Sequence, residues 1–108
     1  VTSWKIGDVT VTRVDECEMV VPPHVLLPEA TPEALARSAS WLEPHFVTAE
    51  GRITLSIHAF VVEAAGKRIV VDTCVGDLKS RPMFPDWDMK QGTFLQDLAE
   101  AGFPRESI

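Results

Sequence analysis

The chain has only two cysteines, Cys17 and Cys74, far apart and without a C-x-x-C spacing. That points to reduced thiols more than to a disulfide framework, and a cytoplasmic setting is then the default expectation. No stretch approaches the ~20 apolar residues of a transmembrane helix, and no basic-then-apolar leader opens the chain. A first residue of Val1 instead of Met is compatible with a leader, tag or initiator already removed. Positive charge is scarce too: ten Lys and Arg stand against sixteen Asp and Glu, a formal charge of −6, and the longest basic run is the pair Lys67-Arg68. Nucleic acid and anionic membrane surfaces are therefore poor partners. Gly76 stands alone, with no phosphate-cradling glycine run around it. The three histidines, His24, His45 and His58, are too dispersed to form a local zinc motif.

What remains is an ordinary small globular composition: 108 residues, 45% hydrophobic and 24% charged. A single domain of this size buries roughly two thirds of its unfolded surface. Residues 1–16 read as an opening hairpin turning at Gly7-Asp8, with Val9, Val11 and Val14 carrying the second strand; its apolar phase slips at the end, as in an edge strand. In residues 17–50 the prolines at 22, 23, 28, 32 and 44 break any long element, while Met19, Val25, Leu26, Leu27, Trp41 and Phe46 argue against disorder. An ordered covering segment is expected, packed over the sheet edge or against a second copy. It holds one short helix from Pro32 to about Leu42, begun by Thr31-Pro32-Glu33, with Leu35, Ala39 and Leu42 on one face.

The strongest pattern is "ITLSIHAFVVEAAGKRIVVDT", where Leu55, Ile57, Ala59 and Val61 alternate with Thr54, Ser56, His58 and Phe60. The spacing predicts a central hairpin over 53–73, turning at Ala65-Gly66. Its "AFVV" and "IVV" runs are apolar on both phases, so that end of the sheet is expected to be covered on both faces. A helix is predicted over 93–102, with Phe94, Leu95, Leu98 and Ala101 at helical spacing and Gly102 as its stop. Beyond it Ser107-Ile108 looks like the approach to another strand.

The chemistry-bearing residues carry more than one reading. Asp72 ends an apolar strand and needs a partner, water or a metal-site role; a turn or helix cap is the alternative. Ser56 and His58 share a strand face, but not the strained exposed turn on which serine hydrolases place their nucleophile. A histidine satisfied by a hydrogen bond is the plainer account of His58. Cys74 follows a strand end with no basic neighbour in sequence to activate it, and Asp77 with Lys79 to Arg81 reads as a solvated loop.

Taken together, "LSIHAFVVEAAGKRIVVDT" resembles the N-terminal half of the metallo-β-lactamase-fold hydrolases, in which an apolar strand after a hairpin turn ends in Asp followed by Thr or Ser. There a helix and a strand then lead to a His-x-His-x-Asp-His signature. Ile69 to Thr73 match the strand and its Asp-Thr, and "TFLQDLAEAGFPRESI" matches the helix. More loosely, Trp4 to Val9 and "LPEATPEAL" look like the lactonase and organophosphate-hydrolase subgroup. Cys74 stands where the family most often has glycine. The resemblance implies the first half of an αβ/βα sandwich in the α/β (α+β) class, with a mixed, mainly antiparallel sheet and one or two helices. It implies a small-molecule ester, lactone, amide or phosphoester substrate, attacked in the intact enzyme by a hydroxide held between two zinc or similar divalent ions. Asp72 and Thr73 would support the metal-binding loop without ligating metal. His58, Met19 and Phe46 would line the active site, which the covering segment would cover; a homodimer through that segment is a separate expectation, drawn from its apolar residues. The ligand signature is not in these residues, so the chain alone is expected to be inactive and to bind zinc weakly. The competing expectation is a non-catalytic α/β interaction or ligand-binding module.

Overall fold

The computed structural model describes residues 1–108. The chain divides into two compact units, one made of Val1–Cys17 with Ile57–Ile108 and the other of Glu18–Ser56. The fold is α+β: a four-stranded antiparallel sheet with a few short helices. Its strands β1 (Thr2–Ile6), β2 (Val9–Val21), β3 (Ile53–Ala64) and β4 (Lys67–Val71) lie side by side in chain order. No parallel pair is present, so the mixed sheet expected is antiparallel throughout.

Both predicted hairpins form, and local chemistry explains their tightness. Ile6 pairs with Val9 across Gly7-Asp8, with Gly7 at φ +60. Ala64 pairs with Lys67 across Ala65-Gly66, whose φ angles are +49 and +73. Positive φ at both central residues matches the right-handed twist of the flanking strands, and Gly66 adopts it without steric cost.

In the first unit the core lies on one face of the sheet. Val14, Ala59 and Val61 are buried with Phe94, Leu98 and Phe103, and Val70, Cys74 and Ala101 pack against them. Phe94 and Leu98 come from α4 (Phe94–Glu100), one turn apart and so on one helix face. The helix stops where Gly102 takes φ +96, and the chain turns back to bury Phe103 under the Arg68 guanidinium, 5.2 Å from the ring centre. Leu95, at helical spacing in the sequence, is 59% exposed beside this buried face, where it lines a cleft with Phe94 and Leu98.

The opposite face of the sheet is apolar too. Phe60 pairs with Val71, and Val62 with Ile69, which places all four on the side away from Ala59 and Val61. Trp4 joins them, its ring centre 6.3 Å from that of Phe60. Yet Trp4, Ile6, Ile69 and Val71 are 45, 67, 50 and 52% exposed. The double coverage expected of "AFVV" and "IVV" is thus not met, because α4 is the covering helix of this unit and it occupies the Val14 side. The same two-faced character explains the phase slip in β2. That strand lies inside the sheet, not at an edge: Val11 pairs with Trp4 on the open side, while Thr12 and Val14 are buried on the other.

In the second unit, the helix expected from Pro32 to Leu42 is two pieces, α2 (Pro32–Arg37) and α3 (Ala39–Leu42), divided at Ser38 with φ −111 and ψ 7. Thr31 caps α2, its hydroxyl accepting the Ala34 N–H at 3.2 Å. A further single turn, α1 (Pro23–Leu26), starts after Pro22, and an isolated bridge joins Val47 to Ile53. Val21 and Val47 are buried, whereas Leu27, Trp41 and Phe46 are 57, 66 and 56% exposed. At the other terminus, Arg105–Ser107 form a 3-10 turn closed by Ser107 N–H to Pro104 O at 2.7 Å, where a strand approach was expected.

Candidate functional site

The strand β4 ends at Val71, and the backbone then departs from the extended form: Asp72 has φ +67 and Cys74 φ +63. A short polar side chain tolerates that region by bonding its own backbone. Asp72 does so, one carboxylate oxygen accepting the Cys74 N–H at 2.7 Å. Asp72 and Thr73 are both exposed, so the sequence premise of a buried charge does not hold. The carboxylate caps a turn.

The next two amides are held by a residue that the sequence reading missed. Glu16, on β2, accepts Val75 N–H at 2.7 Å on one oxygen and Gly76 N–H at 3.0 Å on the other. Its side chain is 1% exposed. The Lys90 ammonium closes the group, 3.2 Å from Glu16 and 2.9 Å from Asp77. A buried carboxylate is tolerable only when paired and hydrogen-bonded, and this one has both. Two glycines make room: Gly76 has φ +74, and a Cβ at Gly92 would lie 2.5 Å from Lys90 Nζ.

The segment beyond is exposed from Asp77 to Ser80, as a solvated loop would be, and it is also fastened by hydrogen bonds. Leu78 N–H bonds Lys90 O and Met89 N–H bonds Lys79 O, each at 2.9 Å. Arg81 donates through Nη2 to Val75 O at 2.9 Å, and its own N–H bonds Asp88 at 2.6 Å. At the tip Phe84 and Trp87 stack, 5.2 Å between centres, and Met83 is 86% exposed.

These contacts set the electrostatics. Burial, and then the nearby charges of Glu16, Asp72 and Cys17, push the Cys74 thiol up to about 11, against a smaller opposing pull from Lys90. Cys17 is raised for the same leading reasons, burial and Glu16. Neither is an activated nucleophile. Desolvation works to lower Lys90, but its bonds to Asp77 and Glu16 outweigh it and raise the ammonium overall. Asp77 is lowered, first by the Lys90 bond and then by the Gly92 backbone.

The remaining sequence candidates are dispersed. His58 lies on β3 with its ring edge-on to Phe60, 4.9 Å between centres. Since Phe60 pairs with Val71, His58 is at the same end of the β3–β4 ladder as the Asp72 turn and on the open sheet face. Met19 is half-buried and Phe46 exposed, both in the second unit. A cleft of about 500 Å³ adjoins the turn, with Glu16, Thr73, Asp77, Lys79 and Arg105 among its lining and α4 as its apolar wall. The second unit holds one of about 510 Å³, where His24, Glu43 and Glu50 stand among prolines. No group of three or more His, Cys, Asp or Glu could hold a metal ion. The zinc ions that the resemblance implies thus have no ligand set here, and no reaction step follows through them from these residues.

One part of the signal for Glu16 was in the sequence, since it continues the Thr12, Val14 phase; that β2 lies inside the sheet comes from the fold. Comparison of the chain with protein-family models, curated proteins and solved structures finds no match.

Proposed function

We propose that the chain is the N-terminal portion of a metal-dependent hydrolase of the metallo-β-lactamase type, acting on an ester, lactone, amide or phosphoester. The observation that carries this reading is the open sheet face. Trp4, Phe60, Val62, Ile69 and Val71 form one contiguous apolar side that nothing in their own unit covers, while α4 covers the other. A sheet apolar on both sides suits a layered fold, with further structure against the second face. The Asp72 turn follows Val71 at the end of that face, and Asp72 is exposed to a segment packed there. In this role Asp72 orients a loop that carries the ligands and does not bind metal itself.

The test is the coding sequence beyond Ile108 and the metal content of its product. A His-x-His-x-Asp-His run there, with metal content falling about 10 to 100-fold in Asp72→Ala, supports the reading. A frame without such a run, or a metal content indifferent to Asp72, overturns it. A second reading, a non-catalytic interaction module, is favoured by the exposed Leu27, Trp41 and Phe46 of the second unit. It requires that residues 18–56 capture a protein partner with no metal present.

A further inference from the structure

The geometry points to Glu16 as the positioning residue for the Asp72 turn, and to Lys90 as the link that joins this turn to the loop over residues 77–92. This inference rests on the proposed role of Asp72, and it adds the residue that holds Asp72 in place.

Three consecutive backbone N–H groups follow the end of β4. Asp72 takes the first, from Cys74; Glu16 takes the next two, from Val75 and Gly76. With Cys74 at φ +63 and Gly76 at φ +74, the chain brings two successive amides onto one carboxylate, as in the backbone pockets that hold anions. Here the anion is the chain's own. Its source lies about sixty positions away in sequence on β2, which packs inside the sheet, so the turn is registered to the rigid part of the molecule. An apolar residue at position 16 would fill the same space yet leave two amides without acceptors, and an orphaned buried donor is costly. The shape of the turn, and hence the direction of Asp72, follows from the reach of a glutamate with two acceptor oxygens.

Lys90 extends the hold. Its ammonium bridges Glu16 and Asp77, and its carbonyl accepts Leu78 N–H, so the base of the aromatic loop is fastened to the same carboxylate. Displacement of that loop pulls on Glu16 and, through it, on the turn.

Amide exchange and proton shifts of the 108-residue chain test the local claim. In Glu16→Gln one acceptor oxygen becomes a donor, so one of the Val75 and Gly76 amides is expected to lose at least about tenfold in protection, as for one lost hydrogen bond, while the other keeps the remaining oxygen. The Cys74 amide proton is expected to shift as the Asp72 turn loosens, while Val61 and Val70 in the paired strands keep their protection. Glu16→Asp keeps the charge but shortens the reach by one methylene, and is expected to give the same local loss even if the glutamine variant does not fold. Lys90→Met is expected to speed exchange across residues 77–92 with Val75 and Gly76 retained. Unchanged Cys74, Val75 and Gly76 amides in Glu16→Asp, or an equal loss across the whole sheet, overturns the inference.

A metal measurement on the product of the complete reading frame separates this inference from the reading beneath it. Loss of metal in both Asp72→Ala and Glu16→Gln supports both. Loss in Asp72→Ala alone sinks the inference and leaves the reading standing. Loss in neither sinks the reading, and with it the role assigned to Glu16.

Discussion

On one side of the sheet, Val14, Ala59 and Val61 lie buried beneath Phe94, Leu98 and Phe103, whereas on the other Trp4, Ile6, Ile69 and Val71 are 45 to 67% exposed. The residue types are alike, and both sides follow from the same alternation. What differs is the cover. Apolar pattern in a strand records which faces are fit for burial, and a separate element decides whether burial occurs. Under the proposed function, this contiguous apolar side is where a further layer would pack.

The largest effects are expected on the covered side. Leu98→Ala removes a side chain that is 4% exposed and leaves a cavity, at about 2–5 kcal/mol, enough to unfold much of a small domain. Urea denaturation followed by circular dichroism measures it, and a loss below half a kcal/mol would show that α4 does not seal the core. Next comes Glu16→Ala, which strands two amides and leaves the Lys90 ammonium with Asp77 alone. A destabilisation of about 2–4 kcal/mol is expected in the same measurement.

The Cys74 thiol sharpens the comparison through pH. Its folded-state value of about 11 lies above the ordinary 9.0, so the folded chain favours the neutral thiol. The associated stability is fully present below the ordinary value and is lost as the pH rises from there toward about 11. Alkylation of Cys74 is expected to follow the higher value in the folded chain and the ordinary one in denaturant. Coincident profiles would show that the thiol is not sheltered.

The smallest effect is expected on the open side. Ile69→Thr and Val71→Thr change residues that are about half exposed, and each is expected within about 0.5 kcal/mol of the parent. A loss of the size expected for Leu98→Ala would mean that this side is covered in solution.

Much of this was legible from residue spacing. Period-two alternation gave β3, the turn pairs at Gly7-Asp8 and Ala65-Gly66 gave both hairpins, and Thr31-Pro32-Glu33 gave the start of α2, because each depends on neighbours in sequence. The break at Ser38 was not legible, since a hydroxyl residue in that run suits a helix or a cap equally. Coverage of Ile69 and Val71 depends on elements elsewhere, and spacing within a strand carries no record of them. The Asp72 turn was foreseen only as one of two alternatives. Glu16 was missed because its partners, Val75, Gly76 and Lys90, lie on a loop whose backbone path local patterns do not set. The same holds for the bonds of Asp77 and Arg81: Asp77 is solvated as expected but also pairs with Lys90, and Arg81 is half-buried and bonds Val75 O.

The open face is tested most directly by hydroxyl-radical footprinting of Trp4, Ile69 and Val71 in the 108-residue chain and in the product of its complete reading frame. All three are expected to be labelled in the chain alone, with Leu98 spared, and to be protected at least about tenfold in the longer product, as buried side chains of a second layer would be. Equal labelling in both, or a reading frame that ends at Ile108, would contradict a sheet built to receive a second layer.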